Sequence, residues 1–549
     1  MKTRPVVFVA IVLTAAQASA MAADQPGLYE SASPPIPANQ IDRIVFARLS
    51  ALGFQPALCS DVVFVRRAYL DLIGTLPTAK EARAFLQDPD ARHKRTALVD
   101  RLLQRDEFAD YWAMRWGDAL RIKAEFPVNL WPNAAQAYHH WVRASLAENK
   151  PYDRFARELL TSSGSNFRVG PVNFYRAIQD RSPEGIAGAV ALTFMGSRVD
   201  AWPPARVKGM SVFFSQIGYK PTREWKEECV FWDPLHSSTL AANVAPEEPV
   251  AGAKPKPAEP ATFPRLEPHT AVFPDGTTIT ISPGQDPREV FADWLITPGN
   301  PWFTRAIVNR VWYWLLGRGI THEPDDIRDN NPPSNPELLA CLEKEMVASG
   351  YNLKRFYRLI VTSTTYQLSS LPRFDDPRAE ASFASYPLRR LDAEVLIDAI
   401  NKITGTTDLY TSPIPEPFTY IPADKPAIAI ADGSITSPFL TLFGRSARAT
   451  GMENERNNKP VPAQWLHMLN SSHIQRKLEQ GPVLKAIFDP SRKIDEAVSE
   501  LYLTILSRLP TPEERTTVTE YIRTTRTRRD VAVDLPWALI NSPEFLYRH

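Results

Sequence analysis

"YLDLIGTLPTAKE" (residues 69–81) and "YLTILSRLPTPEE" (residues 502–514) are nearly the same phrase, written once near each end of a 549-residue chain. Tyr69, Leu70, Leu72 and Ile73 recur as Tyr502, Leu503, Ile505 and Leu506, apolar positions at helical spacing. Leu76-Pro77-Thr78 and Leu509-Pro510-Thr511 then stop one helix and start another. Thr78 with Glu81, and Thr511 with Glu514, have the spacing of a capping box, and Pro512 stands at the first helical position, where a missing N–H costs nothing. "LLQRDEF" (102–108) and "LINSPEF" (539–545) supply a third piece each time. Each end therefore predicts a module of three helices. Duplication and convergent capping both explain the likeness.

Outward from these phrases, helix-period apolar runs occupy 41–52, 94–103, 134–146, 155–161, 183–195, 287–295, 306–316, 336–348, 353–363, 392–403, 462–469 and 495–506. The pattern predicts a mainly α, multi-helical fold. "HTAVFPDGTTITIS" (269–282) alternates around Asp275-Gly276 and predicts a short β-hairpin between the two halves. The Pro/Ala/Glu/Lys-rich stretch 243–268 and the segment "TSPIPEPFTYIPADKP" (411–426) read as a linker and a long loop. At 61.7 kDa the chain exceeds one core, and length alone suggests roughly three to four units.

Composition excludes some function classes. Lys+Arg 63 against Asp+Glu 62 argues against nucleic acid or an anionic membrane as the main partner. The opening "MKTRPVVFVAIVLTAAQASA" sets Lys2 and Arg4 before an apolar run and ends on the small-x-small triplet Ala18-Ser19-Ala20, which predicts a signal peptide and an exported protein, periplasmic or secreted. Its loss leaves 61 basic against 62 acidic residues, so the neutrality stands. No later apolar stretch has the roughly 20 residues of a membrane span. Cys59, Cys229 and Cys341 allow at most one bridge, and none lies in C-x-x-C-H spacing, which argues against covalent haem c; no cofactor is expected.

Several constellations could carry chemistry. "THEPDD" (321–326) gathers His322, Glu323, Asp325 and Asp326; it offers an acid/base cluster or, through His322, a metal ligand, against the plainer expectation of a helix N-terminus whose carboxylates complement the dipole. Asp118 is a further acid/base candidate. Adjacent His139 and His140 face different directions on a helix and cannot share an ion. His467 and His473 flank Asn470-Ser471-Ser472, which a capped helix boundary explains. Arg310 and Arg318 could fork onto a sulfate or a sugar acid while Trp312 stacks on a ring, although tryptophan at helical spacing is more often core. Arg66, Arg67, Asp71, Arg121, Arg389, Arg390, Asp392 and Glu394 stand among apolar residues, where charges must pair; they predict buried ion pairs between helices. G-x-S-x-G, Walker and H-E-x-x-H signatures are missing from the sequence.

The first half, through "IDRIVFARLSALG", "RRAYLDLIGTLPT", "LVDRLLQRDEFADYWAMRWGDALR", "PYDRFARELL" and "NFYR", resembles the exported planctomycete-type cytochrome-associated domain of unknown function (family 1549). The second half, through "NPWFTRAIVNRVWYWLLGRGI", "NPELLACLEKEMVASGYNLKRFYRLIVTSTTYQLSS", "YPLRRLDAEVLIDAI", "PVPAQWLHMLNSSHI" and "WALINSPEFLYRH", resembles its C-terminal companion (family 1553). The resemblance implies export, a helical fold, fusion to cytochrome modules and a gene neighbourhood with sulfatase-like exported proteins, but no reaction. Relatives commonly carry Cys-x-x-Cys-His where this chain reads "TFMGSRVDAWPPARVKGMSVFF" (193–214), which has neither cysteine nor histidine.

The organisation expected is a signal peptide (1–22), an N-terminal helical domain (38–232), a Pro-rich linker (233–268) and a C-terminal helical domain (269–549). The function expected is a non-catalytic binding or scaffold protein that handles polysaccharide beside a sulfatase-like partner. A carboxylate-dependent hydrolase or lyase is the alternative, and an electron-transfer protein the second.

Overall fold

The computed structural model describes residues 27–235, 268–525 and 527–549. The expected signal peptide and nearly all of the 233–268 linker lie outside the described residues. The fold is mainly α, and every helix expected from periodicity is present within a few residues.

Both terminal modules form. The first comprises helices Asp61–Ile73, Ala79–Gln87 and Lys94–Leu102, the second Ile494–Leu506, Pro512–Thr524 and Arg528–Ile540. Both capping boxes close, Thr78 with Glu81 and Thr511 with Glu514. Both first helices end in a left-handed residue, Gly74 (φ 60°) and Ser507 (φ 62°). Gly74 meets a second demand, because a Cβ there would lie 2.5 Å from the Tyr111 ring.

The modules also share an electrostatic arrangement whose arginine the paired phrases do not place at matching positions, Thr75 standing where the second phrase has Arg508. Arg105 pairs with Glu81 at 2.8 Å and with Glu107, and its guanidinium lies 5.8 Å from the Tyr69 ring. Arg508 pairs with Glu514 and Glu544, both at 2.7 Å, and lies 5.6 Å from the Tyr502 ring. Arg105 comes from the third piece of its module and Arg508 from the end of the first helix, so the same grouping is built from two different sequence positions.

The modules touch each other, through residues more than 400 positions apart in sequence. Ala79 and Ala82 pack on Leu503, and Arg83 reaches Glu500 at 2.9 Å. Arg66 donates to the carbonyls of Ile505 (2.8 Å) and Phe545 (2.9 Å). The last residues, Tyr547–Arg548, pair antiparallel with Arg389–Arg390. One continuous apolar cluster runs from Ile41 to Leu546 through both halves. At its centre Trp112 and Trp116 of the first half meet Trp314, at 5.5 and 5.6 Å between ring centroids, and Trp112 lies 4.2 Å from Tyr357. Each such ring buries roughly 150–250 Å², so the halves are joined by core.

The expected hairpin is present as His269–Val272 against Thr278–Ile281. A three-stranded antiparallel sheet of Gly164–Ser165, Glu228–Trp232 and Ile217–Pro221 was not expected. Its strands are short and carry charges, so no alternating pattern marks them. The helix N-terminus expected at 321–326 is corrected: these residues form turns, and the next helix starts at Pro336 with Asn335 as its cap. Pro332 and Pro333 intervene, and the turn is stitched elsewhere, Ile327 N–H to the Gly196 carbonyl (2.8 Å) and Ser197 hydroxyl to the Ile327 carbonyl (2.5 Å). Cys59, Cys229 and Cys341 are all free.

Candidate functional site

The chemistry-bearing residues converge where helix Asp106–Ala119 meets helix Ala393–Thr404 and the loop 444–459. Trp112 and Trp116 face the aromatic core, and Arg115 and Asp118 of the same helix reach the charged groups beside it. Asp118 Oδ1 accepts from Arg448 Nε (2.9 Å), and its Oδ2 accepts from Arg456 Nε (3.0 Å) and Nη2 (2.7 Å). Arg456 also grips Glu394 at 2.6 and 3.0 Å. Asp392 accepts from Arg115 (2.7 Å), Arg548 (2.6 Å) and the Asn458 amide (2.7 Å). Arg548 continues to Asp71 at 2.9 Å, and the Asp71 carboxylate also takes the hydroxyls of Tyr366 and Tyr386, both at 2.7 Å. The expected pairing holds for the signature carboxylates Asp71, Asp392 and Glu394, which join one buried network that includes both chain halves and Arg548, whereas Arg66, Arg67, Arg121 and Arg390 donate to backbone carbonyls instead of pairing with a carboxylate.

Burial alone would raise the pKa values of Asp392 and Glu394, but the arginines outweigh it. Arg115, Arg548 and Arg456 hold Asp392 far below the usual carboxylate range, and Arg456 holds Glu394 down to about 2. Glu453 differs. Burial pushes it up to about 7, with Arg115 opposing and Asp325 adding to the rise. Its Oε1 accepts the Trp314 indole N–H at 2.8 Å, and its backbone N–H donates to Asp325 Oδ2 at 2.7 Å.

The remaining candidates separate. Asp325 is buried and paired with Arg310 at 2.9 Å. Asp326 pairs with Arg198 (3.3 Å) and Arg328 (3.0 Å), and Glu323 is exposed. His322 lies at the surface beside Tyr313, 6.4 Å between rings, and partial desolvation together with Arg318 lowers its pKa. The expected ligand group of Arg310, Trp312 and Arg318 is not assembled on an open face. Arg310 and Trp312 are buried, the latter against Phe383, while Arg318 is half-buried beside Glu380. Among the described residues no three His, Cys, Asp or Glu side chains form a group able to hold a metal. Two surface depressions, one around Asn39, Glu345 and Arg355 and one around Asp180, Asp200 and Trp202, contain none of these carboxylates.

Two arrangements escaped the sequence. Arg445, Arg448, Glu453 and Arg456 fall in an aperiodic stretch, and nothing in its pattern shows that it folds inward onto helix ends. His467 and His473 do approach each other, Nε2 to Nδ1 at 3.3 Å, and His473 Nε2 continues to Asp408 at 3.2 Å. That chain can share a proton, but both rings pack edge-on against Phe439. The helix break at Ser471 explains the His–His approach, while Asp408 lies 65 residues upstream with no signal in the sequence.

Among the described residues no helix is long and apolar enough to cross a membrane. No curated protein and no solved structure matches the chain. A family model described as PSCyt2, protein of unknown function (DUF1549), matches residues 40–196, and one described as PSD1, protein of unknown function (DUF1553), matches residues 287–522. The chain thus carries a DUF1549 segment followed by a DUF1553 segment, both of unknown function, and between them they supply Asp71, Asp118, Asp392, Glu394 and Arg456 of the charged network.

Proposed function

We propose that the protein is an exported, non-catalytic binding or scaffold protein that handles polysaccharide beside a sulfatase-like partner. The observation that carries this reading is the pairing of Asp118. A general acid or base needs a free proton site within reach of its substrate, and both Asp118 oxygens are taken by Arg448 and Arg456. Asp325 is likewise held by Arg310. Carboxylates spent in this way tie helices together. Export rests on the leader-like N-terminus, and the sulfatase-like partner on the family resemblance.

One observation favours a second reading. Glu453, pushed up to about 7, has the proton affinity of a general acid and neighbours Asp325, as a hydrolase or lyase would need. Incubating the protein with neutral, carboxylated and sulfated polysaccharides, and following both retention and new chain ends, separates the two. Retention without cleavage is expected. Cleavage that Glu453→Gln abolishes would replace the binding reading with the enzymatic one.

A further inference from the structure

Three loops far apart in sequence place their aromatic residues together on the surface. Trp131 and Phe418 lie 5.3 Å apart between ring centroids. The Lys226 ammonium sits 5.8 Å from the Trp131 ring and 5.2 Å from the Trp225 ring. Phe126 belongs to the same loop as Trp131, and Tyr420 stands two residues beyond Phe418. Exposure is large for such side chains: 75% for Phe126, 69% for Trp225, 48% for Phe418 and 73% for Tyr420. Exposed aromatic groups gathered in one patch mark a binding surface more often than a solvated one.

Hydrogen bonds tie down two of the three loops. Trp131 (φ 71°), Asn129 (φ 60°) and Lys226 (φ 65°) all adopt the left-handed region that side chains disfavour. The Trp131 loop is closed by Trp131 N–H to the Ala124 carbonyl (3.1 Å) and anchored by Ala124 N–H to Asp432 (2.8 Å) and Glu125 N–H to Ser434 (2.9 Å). The Trp225 turn is fixed by the Thr222 hydroxyl on Glu227 at 2.6 Å. The backbone that carries Trp131, Trp225 and Lys226 is therefore in place before a ligand arrives, which lowers the ordering cost of binding.

Among the described residues Lys226 pairs with no carboxylate; its only charge-related contacts are the two indole faces. Ring faces with an unneutralised cation between them complement a ligand that presents C–H faces and anionic groups in alternation. A charged polysaccharide does so; a lipid surface or an apolar protein face offers no such alternation. We infer that the platform of Trp131, Trp225, Lys226 and Phe418 is a binding site for an anionic polysaccharide, with sugar rings stacked on the aromatic faces and a sulfate or carboxylate on Lys226. The inference rests on the polysaccharide reading above and gives it a location.

Affinity electrophoresis of the mature protein through gels holding carrageenan (sulfated), alginate (carboxylated) or dextran (neutral) tests it. Retardation by a charged gel beyond that by dextran is expected, and the better of the two names the anion. Trp225→Ala and Phe418→Ala, both at exposed positions, should each weaken retention about ten-fold, and Lys226→Gln should remove the preference for charge. Wild-type retention that all three variants keep would overturn the platform and leave the polysaccharide reading standing. Failure of the wild type to be retained by any gel would overturn both, as would binding that appears only with anionic lipid vesicles.

Discussion

Arg456 holds Asp118 and Glu394 in one guanidinium, at 2.7 and 2.6 Å, and so joins a helix of the DUF1549 segment to a helix of the DUF1553 segment. All three groups are nearly or fully buried, and a buried charge deprived of its partner is expensive while the intact set is closer to neutral. Arg456→Met should therefore destabilise the protein by about 3 kcal/mol, leaving Asp118 with Arg448 alone and Glu394 with Arg445 alone, at 3.3 Å. Urea unfolding checks this. A loss below about 1 kcal/mol, the scale of a surface pair, would show that the network does not join the halves.

Stability should also depend on pH in both directions. Glu394 is held down to about 2, so its contribution is complete above the ordinary 4.5 and is lost as pH falls through 2. Glu453 has the opposite sign. Its folded pKa of about 7 exceeds the ordinary 4.5, so the folded state keeps a proton that the unfolded state has lost, and stability declines as pH rises from 4.5 through 7. Thermal unfolding across pH 3 to 8 should give a maximum near about pH 5. Glu453→Gln should make the decline on the upper side shallower without abolishing it, because burial also pushes Asp398 up to about 7, and should leave the acid side unchanged.

The two left-handed helix ends separate backbone from packing effects. Gly74→Ala puts a Cβ 2.5 Å from the Tyr111 ring and should cost several kcal/mol, about 1 of it from backbone strain alone. Ser507→Gly removes that strain at the matching position and should change stability by less than about 1 kcal/mol. Equal losses at both sites, measured by chemical unfolding, would show that the modules do not use these positions alike.

Helices and caps were legible because they depend on neighbours in sequence. Thr78 and Glu81 announce their capping box at a spacing of three residues, and the apolar period of 306–316 announces its helix. The pairing need of Asp71, Asp392 and Glu394 was also readable, since charges inside apolar runs must be compensated. Their partners were not, because Arg448, Arg456 and Arg548 lie in an irregular loop and at the chain's end, where no period points inward. Arg310 and Trp312 looked available on paper and are buried, since helix Phe303–Leu316 is covered on nearly all sides. The aromatic platform was invisible for a related reason: Trp131, Trp225 and Phe418 are each an ordinary loop residue until the fold brings them together.

Asp118→Asn most directly separates a structural carboxylate from a catalytic one. Its urea midpoint, its retention on polysaccharide under folded conditions and any release of chain ends should be measured on one preparation beside the wild type. The expected result is a lowered midpoint, wild-type retention and no chain ends from either protein. A wild type that cleaves polysaccharide, with an Asp118→Asn variant that keeps the wild-type midpoint and loses the cleavage, would contradict the structural role and make Asp118 part of an active site.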